Sequence, residues 1–399
     1  MIGAGVVVRV AVPLAAFADR GRALPGLPTY HYNPRPGDAY GYYSAMRELL
    51  ATARRPLPLG AAALIVLLVV AAVRVLRRRG CGPEWIVLSV ALGLSAIASV
   101  LALEMRASGA VTIGWPLLWS IPLLPYRVLG DFGPNAGFGV GLVLGLLANA
   151  VTVVATAVVA LRATARASIA AGAVALLALW PLLVGVLAGH RAWGNGSWNV
   201  DTGLHLYSEP LSTALIVCAF ALLLAPRPTP ALLALAGVLL SYAAVVRLSN
   251  AVIGGAALLI VLVTRGGRRA LPLFLGLLVF VPLELAYWSK GYAGIDHGLP
   301  SRPFALRYMH IAWTDSLIWT PKTLLIVVPI AVIGSLAVRD RTHLALLWSA
   351  ILGTAAFYSV YAVTDIHPRF FYVVLPFVLV LWTAGVQVLV TRRPGRRPD

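Results

Sequence analysis

Charge is scarce in this chain: 12% of its 399 residues are Asp, Glu, Lys or Arg, and only 14 are acidic. That shortage excludes a large water-soluble domain, because no long polar block is available to cover one. What remains is a 60% apolar composition with a mean hydropathy of +0.87, which calls for lipid as its solvent. Cysteine is nearly absent. Cys81 stands beside an arginine cluster and Cys218 inside an apolar run, so no structural disulfide is expected. Glycine-rich pieces such as Gly194-Asn195-Gly196 follow no strand and form no nucleotide fingerprint, which excludes ATP or a sugar nucleotide held by such a loop. No internal repeat is evident.

The chain is rich in apolar runs. Taking runs of about 16 to 25 residues as spans, helices fall near 2–18, 58–76, 84–105, 137–161, 168–188, 210–225, 230–246, 250–264, 271–288, 320–338, 344–363 and 370–391. The expected fold is therefore an all-α polytopic membrane protein of about 12 transmembrane helices, within a range of 10–13, forming a single membrane domain over 1–399. The first run, Ile2 to Phe17, is short like a signal peptide. Arg9 interrupts it and no clear cleavage site follows, so it reads as a retained first helix.

A net charge of +18 invites nucleic acid as a partner, but the arginines sit in short clusters at the ends of apolar runs. Arg74 with Arg77 to Arg79, Arg162 with Arg166, Arg227, Arg265 with Arg268 and Arg269, Arg339 with Arg341, and Arg392 through Arg397 follow alternate helices. That is the pattern of membrane topology, with these ends and both termini cytoplasmic and no nucleic acid involved. The expected location is the cell membrane, crossed many times, with the lipid bilayer as the first partner. The connections on the other side, 19–57, 106–136, 189–209, 247–249, 289–319 and 364–369, are then extracytoplasmic. Of the 14 acidic residues only Glu84, Asp340 and Asp399 fall in cytoplasmic connections, so the chemistry is expected outside.

Several of these outer connections are more than loops. Pro34, Pro36 and Gly37 disfavour helix, after which an amphipathic segment runs from Ala39 to Ala53 with Asp38 at the N-cap position. Tyr42, Met46, Leu49 and Leu50 share one face, with Arg47, Glu48, Arg54 and Arg55 elsewhere. In 106–136 the stretch from Trp115 to Leu124 is apolar but too short and proline-rich to span, which suits a re-entrant or interfacial piece. In 289–319 aromatic residues alternate with polar ones, as in a lid over a polar ligand.

Four stretches concentrate candidate chemistry. Asp38, in a turn at the membrane surface, is placed to accept a proton from a hydroxyl, with N-capping as the plainer role. Asp201-Thr202-Gly203-Leu204-His205-Leu206-Tyr207-Ser208-Glu209 leads into an apolar helix at Pro210, where Glu209 complements the helix dipole. Asp201 and His205 are too few for a metal site, and no metal or other cofactor is expected. Val246-Arg247-Leu248-Ser249-Asn250 interrupts about 35 apolar residues, and an arginine there needs a partner: a phosphate, or the aqueous boundary reached by snorkelling. Thr364 to Tyr372 carries His367 and Arg369 just before the final helix.

In that order, GDAYGYY, YSEPLSTAL, VVRLSNAV and HPRFFYVVLPF resemble the GT-C superfamily of integral-membrane glycosyltransferases, the group of protein O-mannosyltransferases, the aminoarabinose transferase of lipid A, and actinobacterial mannosyl- and arabinosyltransferases. The resemblance implies an extracytoplasmic site, a sugar donor on a polyprenyl phosphate, and a glycan, lipid or protein acceptor. It implies Asp38 as catalytic base; Ala39 follows it where some relatives carry a second acid. Arg247 and Arg369, with Lys290, Arg302 and Arg307 from the long loop, become candidates for the donor phosphate. Tyr42, Asp201, His205, Glu209, Asn250, His310 and His367 become candidates for sugar and acceptor. The competing reading is a transporter or flippase of an amphiphilic or lipid-linked solute, for which Arg9 and Glu284 are the principal charges in or near spans.

Overall fold

The computed structural model describes residues 1–18, 37–106, 108, 110, 112–124, 134–188, 208–291, 304–308, 328–361 and 368–391. They form helices α1 (Ile2–Ala18), α2 (Gly37–Thr52), α3 (Pro56–Arg78), α4 (Pro83–Glu104), α5 (Gly114–Ser120), α6 (Pro134–Thr164) and α7 (Ala167–Ala188). These are followed by α8 (Glu209–Leu223), α9 (Pro230–Val246), α10 (Ala251–Arg265), α11 (Gly267–Leu278), α12 (Val281–Ser289), α13 (Val328–Ala337), α14 (Arg341–Val360) and α15 (Leu375–Thr391). Among the described residues there is no strand, only one antiparallel bridge between Phe304 and Tyr361.

Proline and small polar residues set the starts. Pro56, Pro83 and Pro230 open their helices, where the missing N–H has no partner to lose. Thr229 accepts from the Leu232 amide at 3.3 Å, and Asp340 accepts from the Thr342 and His343 amides at 2.7 and 3.2 Å. The run expected as one helix over 271–288 is kinked: the helix ends at Leu278 and resumes at Val281. Pro282 cannot donate, and its ring clashes with the carbonyl four residues back, which accounts for the break.

Among the described residues seven helices are long and apolar enough to cross a membrane: Pro56–Arg78, Pro83–Glu104, Gly139–Thr164, Leu248–Arg265, Gly267–Ser289, Arg341–Val360 and Phe371–Thr391. Shorter apolar helices at Ile2–Ala11, Ala167–Trp180, Glu209–Leu223, Pro230–Val246 and Val328–Ala337 fall where the remaining runs lie. α3 shows its membrane character most plainly, with Leu57, Leu59, Leu64, Leu67 and Leu68 all more than half exposed. Such a patch on a helix has no use for water.

α9 is the central strut, packed by α8, α11, α4 and α10. Gly237 of α9 and Gly276 of α11 let the two backbones touch, since a Cβ on either would run into a carbonyl of the other, Leu273 or Ala234. α8 and α9 form an antiparallel hairpin through 224–229. At that closed end Arg162, Arg227, Arg265, Arg268, Arg269 and Arg339 line one cavity of about 780 Å3. Arginines from four connections therefore gather at the same end of the bundle. Glu209 and Arg247 mark the opposite end.

Candidate functional site

The open end of the α8–α9 hairpin is closed by polar side chains. Ser208 and Glu209 start α8, where Pro210 fixes the first turn, and Arg247 follows the last residue of α9 in extended conformation. An Nη1 hydrogen of Arg247 is donated to Glu209 Oε1 in an ion pair, and its Nε–H to Tyr358 Oη of α14 at 3.2 Å. Tyr358 in turn donates to Ser249 Oγ at 2.8 Å. The side chains of Glu209 and Arg247 are 3% and 19% exposed, so the pair is nearly sealed from solvent while the arginine keeps an outward edge.

The surrounding contacts hold this arrangement in place. Tyr42 of α2 lies within 3.5 Å of Ser208 Oγ and donates to it. The Tyr358 ring packs on Phe371 at 5.7 Å between centroids. Phe304, from the 289–319 connection, lies over Phe357 and Tyr361 at 5.5 and 5.2 Å. α5 wedges against the end of α9: Gly114 meets the backbone of Val245 and Val246, Tyr242 Oη donates to the Gly114 carbonyl at 2.7 Å, and Thr112 Oγ1 donates to the Val246 carbonyl at 2.9 Å. The backbone that carries Arg247 is thereby pinned.

The short apolar piece after position 113 is the buried helix α5, with Trp115 and Trp119 inside and Trp119 Nε1 donating to the Gly137 carbonyl at 2.7 Å. α2 packs on α5 and α4 with Tyr42, Met46, Leu49 and Leu50 buried and Arg47 and, just beyond the helix, Arg54 exposed, the facing read from the sequence; Tyr43 is buried beside them. Its far end is held by Glu48, which pairs with Arg55 at 3.2 Å and accepts from the Arg106 amide at 3.0 Å. Asp38 lies in the first turn of α2, which begins at Gly37, one to two residues earlier than expected; its side chain is outside the described residues.

The other expected site residues divide. Asn250 is buried and donates to the Ala243 carbonyl at 2.9 Å, satisfying the C-terminus of α9, which is a capping role. Lys290 is exposed at the end of α12, and Arg307 is exposed with its guanidinium over the neighbouring Tyr308 ring at 5.1 Å. Arg369 lies in the 3₁₀ segment Pro368–Val374, with its side chain outside the described residues; Asp201, His205, Arg302, His310 and His367 lie outside them entirely. Among the described residues no three His, Cys, Asp or Glu side chains gather as a metal site. Sequence reasoning missed Tyr358, Ser249 and Ser208 as parts of the cluster. Tyr358 is one of several aromatics in an apolar helix and carried no local signal.

No family model, curated protein or solved structure matches the chain.

Proposed function

We propose that the protein is an inverting glycosyltransferase that moves a sugar from a polyprenyl-phosphate donor to a hydroxyl of a glycan, lipid or protein on the extracytoplasmic side. One observation carries this reading. The four stretches that resemble the GT-C enzymes, far apart in the chain, touch in one cluster: Tyr42 with Ser208, Glu209 with Arg247, and Tyr358 joining Arg247 and Ser249 to Phe371. The side follows from the arginine clusters, which collect at the other end of the bundle and belong in the cytoplasm. The twelve-helix count is part of the same proposal, adding the five shorter apolar helices to the seven long ones.

In this reading Asp38, one helical turn before Tyr42, removes the proton from the acceptor hydroxyl as its oxygen attacks the anomeric carbon. The phosphate leaves from the opposite face, so the configuration inverts. A phosphate leaving group needs fixed cations more than it needs a proton, and Arg247, oriented by Glu209 and Tyr358, supplies one. Arg369, Lys290, Arg302 and Arg307 are the further candidates for that phosphate, and Asp201, His205, His310 and His367 for sugar or acceptor.

The test is purified protein incubated with a panel of polyprenyl-phosphate sugars, reading release of the lipid phosphate. Asp38→Asn should slow transfer by about 10²–10⁴-fold with donor binding intact. Transfer at the wild-type rate, or a product that keeps the donor's anomeric configuration, overturns the assignment. The transporter reading draws on Arg9, which is 1% exposed and bonded to Tyr372, and on Glu284 within an apolar helix. Solute uptake into proteoliposomes without sugar transfer would favour it.

A further inference from the structure

The geometry points to a second ligand site: the arginine-lined cavity at the closed end of the α8–α9 hairpin binds a phosphoryl anion carrying two or more negative charges. Topology alone explains why each connection on that side carries arginine. It does not explain why Arg162, Arg227, Arg265, Arg268, Arg269 and Arg339, from four separate connections, face one concavity of about 780 Å3. Like charges crowded in a recess repel one another. On separate loop tips the same arginines would satisfy topology without that cost.

The lining offers little internal neutralisation. Its one carboxylate, Asp340, is engaged by the Thr342 and His343 amides as the cap of α14. The formal cations in the lining are arginines, as are nearly all in the chain, where lysine stands only at 290 and 322. The guanidinium fork presents paired donors that match phosphate oxygens, a preference a compact ammonium lacks. Several of these arginines are held in place. Arg162 donates to the Ala221 carbonyl and Arg265 Nη2 to the Leu223 carbonyl at 3.2 Å, both at the end of α8. Arg265 Nη1 is buried and has no hydrogen-bond partner among the described residues. Arg227 stands between Pro226 and Pro228, both in the lining, which restrict its backbone. Asp340 acts on Arg265 alone among the lining arginines for which an interaction with it is resolved, so a recess with this excess of positive charge focuses field on whatever anion enters it. This site lies at the opposite end of the bundle from Glu209 and Arg247, and its case does not rest on glycosyl transfer.

The phosphoryl group can belong to a soluble molecule or to a phospholipid headgroup. Full-length protein in nanodiscs of neutral lipid, titrated with inorganic pyrophosphate by calorimetry, tests the shared chemistry. Saturable binding is expected, weakened about tenfold or more by Arg268→Gln with Arg269→Gln, each lost arginine removing a charge-assisted hydrogen bond. Both side chains are exposed, so the fold should persist; exposed Arg227→Gln serves as a second variant if the double one does not fold. Discs containing cardiolipin, whose headgroup carries two phosphates, separate the sources. Weaker apparent pyrophosphate affinity in them identifies a lipid headgroup, and unchanged affinity a soluble phosphate, both in support. Absence of saturable binding in neutral discs, or equal binding by wild type and variants, overturns the proposal.

Discussion

Glu209 and Arg247, 38 positions apart, close the open end of a helical hairpin with a buried ion pair. The pairing changes what each residue can do. An arginine at a membrane boundary needs a partner, and here the protein supplies one, so any phosphate that binds Arg247 meets a guanidinium already aimed by Glu209 and Tyr358.

Removing one member of that pair should cost more than removing both. Arg247→Ala leaves a buried carboxylate uncompensated and should destabilise the protein by about 3–5 kcal/mol. Glu209→Gln combined with Arg247→Ala should recover part of this, with an interaction energy of about 0.5–3 kcal/mol. Thermal unfolding of the four proteins in detergent measures the cycle; strictly additive single effects would refute the coupling.

Asp340 gives a pH-dependent contribution. Its carboxylate is partly desolvated, but the His343 and Thr342 amides and the neighbouring His343 outweigh that and hold its pKa below the usual carboxylate range. A depressed folded value means the stabilisation is complete above the unfolded pKa of about 3.9 and is lost as pH falls through the folded value. Asp340→Ala should cost about 0.5–2 kcal/mol at neutral pH as a lost helix cap. The gap between wild type and variant should close under acid, as followed by unfolding midpoints at stepped pH.

Sidedness can be read from single cysteines introduced at Lys290 and Arg227, both exposed. On a Cys81→Ser, Cys218→Ser background, an impermeant thiol reagent applied outside intact cells should label position 290 and leave 227 unlabelled until the membrane is opened. Labelling of both from the same side would contradict the assignment of arginine-rich ends to the cytoplasm.

Gly237→Val should disrupt the bundle without touching any polar group. Even a Cβ there runs into the Leu273 carbonyl of α11, which is backbone and has no rotamer to escape into. Overpacking of this kind costs about 1–3 kcal/mol. A variant that unfolds at the wild-type temperature would show that the close approach of α9 and α11 has no structural weight.

The helices were legible because lipid-facing residues must be apolar, and runs such as 58–76 and 250–264 carry that demand in their composition alone. The α2 face was legible too, since Tyr42, Met46, Leu49 and Leu50 recur at helical spacing and are buried together. What the sequence did not disclose was contact across distance. Arg247 reads as a phosphate ligand and Glu209 as a sugar contact because each is taken with its neighbours; that the two pair with each other, and that Asn250 donates to the Ala243 carbonyl of α9, is not visible there. A signal was available: Glu209 and Arg247 stand at similar distances from the turn around Arg227, so a hairpin brings them level. Tyr358 had no such signal, because its place beside Arg247 depends on how α14 packs against α10 and the 3₁₀ turn at Leu248–Asn250.

The same hairpin has a consequence for the lipid around it. α8 and α9 have 15 and 17 residues, or about 22 and 26 Å at helical rise. An ordinary bilayer has about 30 Å of hydrocarbon. If the hairpin spans as proposed, with the ends around Arg227 at one headgroup layer, Glu209 and Arg247 would come to rest some ångströms inside the other. Hydrophobic mismatch is relieved by thinning the leaflet at that point. On the function proposed above, the ion pair would then sit at the floor of a dimple in the membrane, within reach of a lipid-borne headgroup whose chain stays in the bilayer.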